Sequence, residues 1–182
     1  CSSDLLSFDL ALRIQRFRGE IDRILNSKLL EFEDAVFYLR KNYNLERSSA
    51  EAIIRYFLEQ NLFSYIPTDD RFVVENFQDN GSECYVFHSL VGRRANSAIS
   101  RVAAWRAGVM KNCNVKIAIN DNGFLLKLPK RKKLSYSEIL DLLSPEHFRD
   151  NLISALDRTE ILRRRFRHVA VRSLMVLRNY LG

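Results

Sequence analysis

Two Asn-Gly dipeptides, Asn80-Gly81 and Asn122-Gly123, each stand between a pair of short runs rich in β-branched and aromatic residues, in a chain otherwise patterned at helical spacing. Asn-Gly suits the two-residue hairpin turn, whose central residues both need positive φ. Residues 71–77 and 84–90 therefore read as one hairpin, and residues 115–119 and 124–128 as a second. Everything around them reads as helix. Residues 8–25 carry Leu10, Ile14, Phe17, Ile21 and Ile24 on one stripe, and residues 31–43 carry Phe32, Val36, Leu39 and Tyr43. A capping box, Ser48 with Glu51, opens a third helix through residue 61 with Ile54, Phe57 and Leu58 inward. Residues 94–106 form a helix between the hairpins, with Ala98, Val102 and Trp105 on its buried side, and two short helices from Ser135 precede a terminal one. The expected fold is α+β, helices packed on an antiparallel sheet of two hairpins, in the order ααα-ββ-α-ββ-ααα.

With 47% apolar residues in 182, and only 6 Gly and 3 Pro, no linker interrupts the chain. It reads as a single α+β domain over residues 1–182, with a helical part at 1–66 and a basic α/β part at 67–182. The missing initiator Met and the stop one Gly beyond a long helix suggest a piece of something larger. Cys1, Cys84 and Cys113 share no metal-ligand spacing with His88, His147 or His168, and so few cysteines without a signal peptide fit a reducing cytoplasm. No apolar run approaches the ~20 residues a membrane span requires. No nucleotide-binding or catalytic motif is present, and Asp69-Asp70 after Pro67 reads as a turn. No catalytic, cofactor or metal residue is therefore assigned.

Charge points to a polyanion. Residues 1–91 carry 10 Lys+Arg against 15 Asp+Glu, a net −5, whereas residues 92–182 carry 19 against 7, a net +12. Seven arginines fall in the last 25 residues, with Glu160 their only acid. At 100° per residue Leu162, Phe166, Val169, Ser173, Val176, Leu177 and Tyr180 share one arc, while Arg163, Arg164, Arg167, His168, Arg172 and Arg178 share the other. The first arc is expected to pack. On the second, Arg164, His168 and Arg172 recur at i, i+4, i+8, each step about 6 Å along the axis. Like charges so placed destabilise a helix, so an external polyanion or acidic partner is the expected counterion.

Two further basic elements qualify. Gly92-Arg93-Arg94 opens a helix, where free N–H groups and the helix dipole favour an anion that two guanidiniums would clamp. Lys130-Arg131-Lys132-Lys133 follows the second hairpin and reads as a solvated loop or a phosphate contact. Trp105 lies on an apolar stripe and is assigned to the core.

Four blocks carry a resemblance: SFDLALRIQRFR (residues 7–18), FHSLVGRRANSAISR (87–101), NDNGFLLKL (120–128) and TEILRRRFRHVAVRSLMVLRNYLG (159–182). Together they resemble the archaeal large helicase-related (Lhr) family, in which such blocks lie downstream of two RecA-like motor domains and a winged helix. The resemblance implies a parent that is an ATP-dependent superfamily-two helicase moving 3′ to 5′, unwinding DNA or RNA–DNA duplexes, with a role in DNA repair. It implies that ATP and Mg are held by the parent and not by this module. The module would wall the channel of the tracking single strand of DNA or RNA, and its partners would be that strand and the RecA-like and winged-helix domains of the same chain. Bacterial relatives place an aromatic near Ile99; an isoleucine cannot stack, so contact is expected through phosphate. Arg93, Arg94, Arg101, Arg163, Arg164, Arg167, His168 and Arg172 are the expected nucleic-acid-binding residues.

Two other readings compete. Three helices followed by a hairpin, residues 8–90, would also suit a winged-helix DNA-binding regulator, but its recognition helix would offer Arg55 against Glu51 and Glu59. A protein-interaction or chaperone-like docking module would turn the same basic helices toward an acidic partner. Because nucleotide motifs are missing, the purified chain is expected neither to bind nor to hydrolyse ATP; DNA-stimulated phosphate release from it would overturn that reading.

Overall fold

The computed structural model describes residues 7–27, 31–157 and 160–173, the side chains of 160–165 apart. Helices α1 (Phe8–Leu25), α2 (Phe32–Tyr43) and α3 (Arg47–Phe63) lead into hairpin β1 (Val73–Asp79) and β2 (Ser82–His88). Helix α4 (Arg93–Lys111) crosses to the second hairpin, β3 (Lys116–Asn120) and β4 (Gly123–Leu128). Helices α5 (Tyr136–Leu143), α6 (Phe148–Asp157) and α7 (Glu160–Arg172) complete the described chain. The expected α+β class and element order hold. The hairpins join through antiparallel pairing of β2 with β4, giving one four-stranded sheet in the order β1-β2-β4-β3.

Alternation along the strands divides the sheet. Tyr85, Phe87, Phe124, Leu126 and Leu128 face α4 and α5, and bury Ala103, Ala107, Leu134 and Leu142 with them. Phe87 and Phe124, partners in register, stack at 4.6 Å. A second cluster, Ile21, Val36, Leu39, Ile54, Phe57 and Ile66, fills the space among the first three helices. Each such side chain contributes about 1.5–3 kcal/mol by burial. Polar contacts tie the two parts together: Gln15 Nε2 donates to the Leu90 carbonyl at 2.6 Å, Ser64 Oγ donates to Glu75 Oε1 at 3.0 Å, and Arg71 pairs with the buried Asp22 at 3.0 Å.

Backbone geometry explains both turns. Asn80 and Gly81 have φ of 49° and 78°, as the Asn-Gly reading requires. In the second hairpin the loop residues are Asp121 and Asn122, while Gly123 already pairs with Asn120. Glycine is needed there for another reason: a Cβ would lie 2.1 Å from the Phe87 carbonyl oxygen, so β2 and β4 could not close.

Several side-chain expectations are corrected. Helix α3 starts after Glu46, with Ser48 already inside it, and Glu51 accepts from Arg47 Nε at 2.7 Å instead of closing a capping box. Leu10 and Leu58 are exposed, because Ala11 and Phe57 occupy the covered arcs beside them. Helix α4 runs five residues past Arg106, ending at Asn112 in the left-handed conformation. Trp105 is only half-buried; the buried residue at that level is Arg106. The first hairpin belongs to the larger sheet, which removes the free wing that a winged-helix regulator needs. Among the described residues no helix is long and apolar enough to cross a membrane.

Arg106 is bonded on every side. Its Nη1 donates to the carbonyls of Asp141, Leu142 and Ser144 at 3.0, 3.2 and 2.7 Å, and Nη2 donates to that of Glu146. The Asn151 amide oxygen, turned toward it, accepts from Nε at 2.9 Å and Nη2 at 3.0 Å. Arg106→Met is expected to lower stability by roughly 2–4 kcal/mol, since it leaves buried carbonyls unsatisfied. Chemical denaturation would read this as a lower midpoint at unchanged slope.

Candidate nucleic-acid interface

The start of α4 is built by its neighbours. Gly92, with φ of 82°, turns the chain out of the β2–α4 connection, and Asn96 Nδ2 one turn later donates to Ser89, Asn120 and Asp121 carbonyls at 2.8, 3.2 and 3.3 Å. These bonds clamp the helix start onto the β3–β4 turn. They also bring in an anion: Arg93 N–H donates to Asp121 Oδ1 at 3.2 Å. The free seat expected at this helix start is thus taken by the protein's own carboxylate, which complements the helix dipole. Arg93 and Arg94 lie exposed beside it.

Arg94, Arg101 and Trp105 fall within about 40° of one another around α4. Arg101 is half-buried and shares a cleft of about 750 Å³ with Trp105, Asn112, Asn114, Ile117 and Ala155. Trp105 therefore fronts a cleft wall and not the closed core.

Arg167, His168 and Arg172 are exposed on α7, as their arc predicts. Arg163 and Arg164 lie in α7 with their side chains outside the described residues, so the row Arg164, His168, Arg172 is seen only in its last two members. Val176, Leu177, Arg178 and Tyr180 also lie outside. The packing arc is corrected: Phe166 and Val169 are 68% and 64% exposed, and Ala170 is the covered residue. The reason is geometric, since among the described elements α7 packs on α6 alone. Ser173, placed on the same arc, spends its hydroxyl on the Val169 carbonyl at 2.9 Å.

Among the described residues Arg93, Arg94, Arg101, Arg167 and Arg172 have no carboxylate within ion-pairing distance; the ion pairs involve Arg47, Arg71, Lys111, Lys127 and Lys133. Lys133 of the basic run lies 4.0 Å from the buried Glu83 carboxylate, so that end of the run is held toward the sheet. Lys127 is different again: its hydrogen bond to Asp79, 2.6 Å, raises its pKa, and it serves the sheet.

Sequence reasoning missed Asn96, Asp121 and Arg106. Each left a trace: Asn96 and Arg106 are the large polar residues within an otherwise small-residue buried arc of α4, and Asp121 is the acid in the turn of a basic half.

Helices around a four-stranded antiparallel sheet, with unpaired arginines on two of them, define a helicase-associated module once the comparisons are added. Residues 66–182 match the DEAD/H associated family, and the chain belongs to that family. Over 97% of its length it is 48% identical to ATP-dependent helicase Lhr-Core protein 2 of Thermococcus barophilus and 40% identical to ATP-dependent helicase Lhr-Core of Methanocaldococcus jannaschii. It spans 20% of each of these relatives. Its fold, over 96% of the chain, matches 22% of the Mycobacterium smegmatis helicase Lhr, solved bound to ssDNA and AMP-PNP, with a TM-score of 0.71 at 20% identity. The Lhr resemblance of the four sequence blocks therefore holds across nearly the whole chain.

Because Phe166 is exposed, Phe166→Ala is expected to shift stability by no more than about 0.5 kcal/mol. A buried phenylalanine would instead cost about 3–5 kcal/mol. Thermal unfolding of the single variant separates the two values.

Proposed function

We propose that this chain is the non-motor nucleic-acid-binding module of an ATP-dependent helicase, and that Arg93, Arg94, Arg101 and the arginines of α7 hold the phosphate backbone of a single strand. The observation that carries the reading is the set of arginines without carboxylate partners, on a half of the chain with a net charge of +12. Exposed arginines without carboxylate partners, gathered on a strongly basic half, leave their charge available to phosphate oxygens. Names of the relatives support the helicase assignment, and the strand held by the M. smegmatis protein supports the polymer class.

In this reading the parent moves 3′ to 5′, opens DNA or RNA–DNA duplexes in DNA repair in the cytoplasm, and binds ATP and Mg in its RecA-like domains. This module walls the channel along which the tracking strand leaves. Backbone contact suits translocation, because phosphates repeat identically whatever the sequence. A second reading, docking on other domains of the same parent such as its winged helix, is favoured by an exposed apolar patch. Leu62, Phe63 and Tyr65 at the end of α3 are 81%, 89% and 71% exposed.

Two paired variants test the phosphate reading. Arg93→Gln with Arg94→Gln, and Arg167→Gln with Arg172→Gln, should each weaken single strands of any sequence and flatten the dependence of log K on log salt by about 0.7 per lost contact. Unfolding midpoints should hold. An unchanged salt slope in both pairs would sink the assignment.

A further inference from the structure

A cavity of about 470 Å³ lies between the helical part and the sheet, walled by Arg18 of α1, Tyr56 and Gln60 of α3, His88 of β2, and Asn120 and Asn122 at the β3–β4 turn. Its size falls in the range of small-ligand sites. Its chemistry is mixed in a particular way. Arg18 is half-buried and, among the described residues, has neither a carboxylate nor a carbonyl partner. Burial holds its pKa below the ordinary guanidinium value, as expected where desolvation meets no nearby anion. Its guanidinium donors are thus open to an anion from outside the chain.

The other walls narrow what that ligand is. Tyr56 meets Phe57 in a T-shaped contact at 5.2 Å and still leaves 57% of its surface open, aromatic area on which a base can rest. The Gln60 and Asn122 side-chain amides make no hydrogen bond among the described residues, leaving donors and acceptors at one rim. The β3–β4 turn that carries Asn120 and Asn122 also carries Asp121, on which Arg93 N–H rests at 3.2 Å. The cavity thus shares the β3–β4 turn with the start of α4. Nor is its far wall loose: one turn before Arg18 on the same helix, Gln15 binds the Leu90 carbonyl at 2.6 Å, which fixes α1 across the β2–α4 connection.

We propose that this cavity seats one nucleotide of the bound single strand, with its phosphate on the Arg18 guanidinium and its base on the Tyr56 ring. The proposal rests on the nucleic-acid reading above and extends it into the acidic half of the chain, where net charge alone argues against contact. A guanidinium recognises phosphate through its fork of N–H donors, and an aromatic ring accepts any base by its face. The site is therefore indifferent to sequence, while its amide rim favours a base over a bare anion.

The test titrates the 182-residue chain with a labelled oligo-dT across a salt series, using Arg18→Gln, Arg18→Lys, Tyr56→Ala and Tyr56→Phe, with the Arg93→Gln, Arg94→Gln pair as reference. Arg18→Gln should bind about tenfold more weakly and lose about 0.7 of the salt slope. Arg18→Lys should restore the slope without the full affinity. Tyr56→Ala should weaken binding about fivefold or more at unchanged slope, Tyr56→Phe should recover it, and 4-thiothymidine in the strand should crosslink to α3 in the wild type. If the reference pair weakens binding while Arg18→Gln and Tyr56→Ala bind like the wild type, the cavity is not a nucleotide seat although the module reading stands. If the wild type shows no salt-dependent binding, both fall together. Loss of affinity in Arg18→Gln that Arg18→Lys leaves unrepaired, with a lowered unfolding midpoint, would make Arg18 structural and overturn the proposal.

Discussion

A single buried guanidinium holds the second half of this molecule together. Arg106, on α4, meets the last carbonyls of α5, the turn that follows and the Asn151 amide of α6. Helix ends leave carbonyls without partners, and here the end of α5 and the turn after it leave theirs around one five-donor side chain that also meets a side-chain amide of α6. The strength of the arrangement is its coupling. Neither α5 nor α6, at 8 and 10 residues, is long enough to be stable alone, and both are fixed by a helix that itself lies on the sheet. The Lys111–Glu138 pair at 2.6 Å adds a second tie from α4 to α5 and holds the Glu138 carboxyl below its ordinary range.

From that anchor the proposed binding surface follows in order. The inner sheet face sets α4, Asn96 sets its start against the β3–β4 turn, and the helix then presents Arg94, Arg101 and Trp105 along one strip. Helix α6, packed on α4, carries α7 with its exposed arginines and histidine. Rigid elements thus support the cationic groups of α4, and the basic run after β4 is tied back through Lys133 and the buried Glu83.

Much of this was legible in the sequence because it depends on short-range rules. The first hairpin announced itself through its Asn80-Gly81 turn, the second through an Asn122-Gly123 pair that lies one residue beyond its actual turn, and α1 through its five-residue stripe, whose span matches Phe8–Leu25. What stayed illegible depended on neighbours. Periodicity states which residues share a face, and not whether anything covers that face: Phe166 and Val169 align well and face outward because only α6 adjoins α7. Ser48 and Glu51 have capping-box spacing, yet Glu46 ends the preceding extended segment and Arg47 claims Glu51. Arg106 was assigned to a helix end because five further residues could not be told from a loop by pattern. The exposed arginines were readable as residues, but their lack of carboxylate partners is a fact of three dimensions.

The carboxylate at the head of α4 has a kinetic meaning. Asp121 already rests on the Arg93 N–H, so a phosphate arriving there exchanges with a resident anion and does not fill an empty seat. Such an exchange gains only the difference between two similar hydrogen bonds, and leaving is helped by a carboxylate that returns to the same place. In the proposed reading, grip at this point is therefore shallow by construction, and a strand passing over it would meet a low barrier at each step.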